Sequence, residues 1–202
     1  MTERAALIVR EMDRTHAWDR SVIAVFTPTG TGWVDNDVPS SLEYMYAGDT
    51  ALVSMQYSYL PSWISFLVDR SKVVEASSAL ITAVQARWAA MPAATRPRLL
   101  IFGESLGAWA SSDVVMFQGV RGLDHYGIDR ALWVGLPWLA KWSRSGMTRG
   151  SSTLVPEGTV GVFDHHDQLA ALDDDQRARL RAVVVSHDND PIAVLGPDLL
   201  VQ

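Results

Sequence analysis

A chain of 202 residues with 48% hydrophobic and 20% charged side chains can bury one sizeable core, and it reads as a single domain over residues 1–202. Its net charge of −6, with no basic run, argues against nucleic acid as a partner. The absence of cysteine excludes disulfides and thiolate metal sites. No apolar run reaches membrane-crossing length and Met1-Thr2-Glu3-Arg4 lacks a signal-peptide core, so a cytoplasmic protein is the simplest expectation.

In chain order, residues 3–19 read as an amphipathic helix with Ala6, Leu7, Val9, Met12 and Trp18 among its apolar positions. His16 falls inside it and reads as structural. Ser21 to Phe26 is a buried strand that opens into Thr27-Pro28-Thr29-Gly30-Thr31-Gly32-Trp33, a loop whose glycines permit positive φ. This loop lacks the lysine of a phosphate-binding P-loop. After a polar stretch with a short helix near residues 40–45, Ala51 to Gln56 forms the next strand. Tyr57-Ser58-Tyr59-Leu60-Pro61-Ser62-Trp63 then reads either as an aromatic wall of a substrate pocket or as surface packing. Residues 71–91 form a periodic helix bearing Val74, Leu80, Ile81, Val84 and Trp88.

Arg98 to Phe102 runs as a strand straight into Gly103-Glu104-Ser105-Leu106-Gly107, followed by a helix-compatible segment to about Phe117. Strand, Gly-x-Ser-x-Gly and helix in that order make the nucleophile-elbow pattern, in which a serine at a sharp turn lifts its Oγ above the sheet. The helix N-terminus offers amide N–H groups where a negative oxygen would form. The amides of Leu106 and of the Thr29-Gly30-Thr31 loop are therefore the expected oxyanion donors. His125 reads as an exposed loop residue. Further strands are expected at 131–135, 159–163 and 182–186, a helix at 173–180, and a long loop between Pro137 and Gly158. Strands alternating with helices predict an α/β fold: a doubly wound, mostly parallel sheet with its site at the C-terminal strand ends.

Thr27 to Trp33, Gly48-Asp49-Thr50-Ala51, Gln56 to Trp63, Gly103 to Gly107 and Leu132-Trp133-Val134-Gly135 together resemble a bacterial, actinobacterial-type α/β-hydrolase family of unknown substrate. The similarity spans most of residues 5–200. Members of that family are often anchored in a membrane by a region ahead of the hydrolase domain, so a membrane-associated location follows if this chain is an excised domain. The resemblance implies Ser105 as nucleophile and Asp190 as the acid of a catalytic triad. Where the aromatic loop walls a substrate pocket, Tyr57 and Tyr59 are the expected substrate contacts.

The order of triad residues in such folds is serine, acid, histidine. No histidine follows Asp190 in these 202 residues, as if the last strand and its histidine loop were missing. The imidazole is then lost, supplied by His187 or the pair His165-His166, or supplied by a partner chain. His187 stands at the right end of the right strand. A metal site built from Asp164 to Asp167 and His187 to Asp190 is not expected, because neighbours on an extended chain point to opposite sides. The expected function is a serine hydrolase acting on small-molecule or lipid-like carboxylic esters, with no cofactor. The competing reading is an impaired hydrolase scaffold that binds a lipid or a protein.

Overall fold

The computed structural model describes residues 1–60, 64, 70–138, 140, 154–187 and 189–190. Six strands form one all-parallel sheet: β1 (Val22–Thr27), β2 (Thr50–Ser54), β3 (Arg98–Glu104), β5 (Ile128–Val134), β6 (Val160–Phe163) and β7 (Ala182–Val185), in the order β2-β1-β3-β5-β7-β6. A short segment, β4 (Phe117–Gly119), lies outside it. The helices are α1 (Thr2–Arg14), α2 (Asp37–Met45), α3 (Arg70–Ala89), α4 (Leu106–Val115), α5 (Val120–Tyr126), α6 (His166–Ala170) and α7 (Asp174–Arg179). The expected doubly wound parallel fold is what the chain adopts.

Alternation along the strands sorts the core into two layers. Ile23, Val25, Leu99, Ile101, Ala131, Trp133 and Val184 face one side, in a large cluster with residues of α1, α3 and α4. Ala24, Phe26, Leu100, Phe102, Leu132 and Val134 face the other, where Val38 and Leu42 of α2 pack on them. The second face is the more thinly covered. An apolar groove of about 700 Å³ runs along it between α2 and the α6–α7 pair.

Several local expectations are corrected. The first helix ends at Arg14, because His16 takes a left-handed conformation at φ +56 and a separate short turn, Ala17–Asp19, carries Trp18 into the core. Leu7 is exposed, and Ala5 is the buried residue of that turn instead. In α3 the buried stripe starts at Val73 and includes Ala76, with Val74 only half-buried. His125 is exposed as expected but lies on α5, a helix that closes on Gly127 in the left-handed region. At the far edge of the sheet, the place beside β7 is filled by β6, a strand earlier in the chain. Pro61 to Trp63, most of residues 137–158, and Asp188 lie outside the described residues.

Candidate active site

The turn between β3 and α4 is built by exclusion of side chains. A Cβ on Gly103 would sit 2.8 Å from the Ala108 backbone, and one on Gly107 would overlap the Thr27 carbonyl oxygen. Two glycines therefore let α4 pack onto the end of β3 and against the chain leaving β1. Ser105, between them, adopts φ +52 and ψ −118, a conformation that side-chain-bearing residues rarely occupy. Its amide donates to the Val134 carbonyl at 2.9 Å and its carbonyl accepts from the Trp109 amide at 3.0 Å, so the strained residue is fixed from both sides.

Beneath the turn, Thr27 Oγ1 lies 3.0 Å from the carbonyls of Phe102 and Gly107 and from Ser111 Oγ. Ser111 in turn donates to Gly107 O at 2.6 Å and accepts from the buried Trp133 indole at 3.1 Å. This polar knot locks β1, β3, α4 and β5 together directly under Ser105. Ser105 forms no side-chain cap on α4, and its Oγ makes no hydrogen bond among the described residues. The serine hydroxyl and the first amides of α4, Leu106 foremost, thus share one corner with no side-chain cap between them.

The loop after β1 is a closed turn. Gly32 N–H donates to Thr29 O at 3.0 Å, and Thr29 N–H donates to Trp33 O at 3.2 Å. Two of the loop's amides are therefore occupied within it. The Thr31 amide makes no hydrogen bond among the described residues, and Thr31 is exposed, whereas Gly30 is buried. Of the two tyrosines expected to contact substrate, Tyr57 is buried in the large core cluster and Tyr59 is 83% exposed.

The six strands of the sheet being parallel, Ser105, the residue 27–33 loop and Ser186-His187, which follow β7, emerge on the same edge. Asp190 N–H donates to His187 O at 3.0 Å, closing a turn that folds the chain back from β7. The Asp190 carboxylate thereby reaches Gly135 at the end of β5, 3.5 Å from where a Cβ would stand there. Since β5 is the immediate neighbour of β3, the acid is one strand, about 4.8 Å, from the column of Ser105. His187 is exposed and begins two strands away; His165 and His166 follow β6, three strands away, and are also exposed. Among the described residues no cluster of three or more histidine or carboxylate side chains is placed to hold a metal ion.

A family model described as an alpha/beta-hydrolase family matches residues 1–202. The chain belongs to the alpha/beta-hydrolase family. Among solved structures, an acetylxylan esterase determined at 0.90 Å resolution is similar over 86% of this chain and 86% of its own, with a TM-score of 0.50 and 15% identity, a likeness of fold. No curated protein matches the sequence.

Two further residues of this alpha/beta-hydrolase, one in the β3–α4 turn and one against the loop after β1, were not singled out from the sequence. Glu104, the variable residue before Ser105, points to the thinly covered face. Its Oε2 is buried with no hydrogen-bond partner among the described residues. Burial pushes its carboxyl above the ordinary range, and the facing Asp35 carboxylate pushes it further. Strict alternation after Phe102 was the signal that could have placed it on that face. Gln56, just beyond β2, bridges two loops, and nothing in its neighbours announces that role.

Proposed function

We propose that this alpha/beta-hydrolase is a serine esterase acting on carboxylic esters or related acyl bonds, lipid-like ones among them. The observation that carries the reading is Ser105: a serine at φ +52 between a buried strand and a helix N-terminus it does not cap. In this reading Ser105 Oγ attacks the carbonyl carbon. The resulting oxyanion receives the Leu106 amide and an amide of the residue 29–32 loop, for which we take Thr31, whose amide makes no hydrogen bond among the described residues. Each such donor is worth roughly 3 kcal/mol in the transition state. Collapse expels the alcohol and leaves an acyl-enzyme that water hydrolyses.

Asp190 is the acid that orients an imidazole. His187 is the candidate base on the acid's own loop, yet it starts two strands from β3 and makes no hydrogen bond to Ser105. The chain is therefore expected to turn over slowly, with His187→Ala changing the rate little. A loss on the order of 10⁴ in that variant would make His187 the base. That unbonded serine also favours a second reading, a scaffold that binds a lipid or a protein without turning it over.

Steady-state hydrolysis of p-nitrophenyl acetate, butyrate and octanoate by wild type and Ser105→Ala tests the proposal. It expects slow turnover of at least one ester that disappears in the variant. Equal rates for both proteins would contradict it.

A further inference from the structure

The candidate oxyanion turn and the aromatic loop are joined by one side chain. Gln56 Nε2 donates to the Thr31 carbonyl at 2.7 Å and to the Ser58 carbonyl at 2.9 Å, satisfying both amide protons on two different loops. The turn also rests on the stem of the same residue. Gly32 has φ +86, and a Cβ there would lie 2.7 Å from Gln56 Cγ and 2.8 Å from its Cβ. No side chain fits at position 32 while Gln56 stays in place. On the aromatic side, the Leu60 amide donates to Ser58 Oγ at 3.1 Å, which fixes the peptide units on either side of exposed Tyr59.

We infer that Gln56 is a positioning residue, whose side-chain amide holds the Thr29–Gly32 turn and the Tyr59 loop as one unit and so sets the Thr31 amide for the oxyanion. The inference rests on the serine-hydrolase reading of Ser105. The Thr29–Gly32 turn is closed by the Gly32 amide, and the amide of its third residue, Thr31, makes no hydrogen bond among the described residues. Holding the Thr31 carbonyl fixes the Thr31–Gly32 peptide, and through the Thr31 Cα it restrains the preceding peptide, which carries the Thr31 amide. A displacement of about 1 Å at such a donor is enough to slow acyl transfer on the order of 10²-fold. Because the same nitrogen protons also hold Ser58, substrate resting on Tyr59 and the donor at Thr31 share a single support.

The role needs a donor, and this separates it from mere filling of space. Gln56→Glu keeps the shape and removes both protons, whereas Gln56→Lys keeps protons that reach two carbonyls. The rate of fluorophosphonate labelling at Ser105 is measured for wild type, Gln56→Ala, Gln56→Glu and Gln56→Lys, with hydrogen exchange of peptides covering 29–33 and 57–60. The expected result is labelling about 10- to 100-fold slower in the alanine and glutamate variants, faster exchange in both segments, and recovery of most of the rate by lysine. Where wild type turns over p-nitrophenyl acetate, the loss should fall on kcat, with KM within about threefold. Labelling of the alanine and glutamate variants within twofold of wild type, or faster exchange confined to 57–60, would overturn the role of Gln56 and leave the serine reading intact. An unlabelled wild type would remove the serine reading and this inference with it.

Discussion

The Ser105 amide donates to the Val134 carbonyl at 2.9 Å, one step beyond the last register pair of β3 and β5, Glu104 with Val134. The candidate nucleophile is thus tied into the sheet while its dihedrals lie outside the regions favoured for L-residues. Such strain costs of order 1–3 kcal/mol and is retained where the surroundings over-determine it. Ser105→Gly should relieve it. After the extra chain entropy of glycine is counted, the variant is expected to be about 1 kcal/mol more stable than wild type by urea unfolding. A less stable variant would mean that the conformation carries no strain.

Close packing at Gly107 predicts the opposite outcome. The Cβ of Gly107→Ala would overlap the Thr27 carbonyl oxygen, a backbone atom that the Thr27–Ser111 knot keeps in place. The variant should lose about 3 kcal/mol, read from the denaturation midpoint at unchanged slope. Fluorophosphonate reactivity should fall with it, since the helix amides would be displaced. Near-wild-type stability would show that α4 can move away from β1.

Glu104 predicts a pH dependence of stability. Its carboxyl is raised in the folded state by burial and then by Asp35. The folded chain therefore holds a proton that the unfolded chain releases first. Stability from this group is fully present below the ordinary glutamate pKa and is lost as pH rises through the raised value. Glu104→Gln removes the dependence. It should melt at a higher temperature than wild type at pH 8, with the difference shrinking towards pH 4; a difference that grows on acidification would contradict the assignment.

Asp190 stands one strand from Ser105 through its approach to Gly135, whereas His187 stands two strands away. Asp190→Asn is accordingly expected to reduce ester hydrolysis more than His187→Ala does. Steady-state kinetics on the same ester compare the two directly, and a larger loss in His187→Ala would reverse the assignment of roles.

Much of the fold was legible because the strands read as apolar runs, from Val22-Ile23-Ala24-Val25-Phe26, buried throughout, to Ala182-Val183-Val184-Val185, buried on one face and half-buried on the other. The β3–α4 turn was legible because its glycines are sterically required. What escaped was set by contacts distant in sequence. The first helix stops early because Trp18 must turn inward. Tyr57 and Tyr59 have the same composition signal and opposite fates, decided by which faces the core. That β6 would insert outside β7 is a matter of sheet order, which local pattern does not encode. In the site, Gln56 bonds Thr31 from 25 residues away, and the Glu104 carboxyl is raised by burial and then by the distant Asp35 carboxylate.

If Ser105 is a nucleophile, it reacts covalently with an activated phosphonate. The intact protein is incubated with a fluorophosphonate probe beside a control serine hydrolase, digested, and the adduct mapped by mass spectrometry. A single adduct is expected on the peptide containing Ser105, absent from Ser105→Ala, whose melting temperature should stay within a few degrees of wild type. An unlabelled protein under conditions that label the control, or an adduct at another residue that persists in Ser105→Ala, would contradict it.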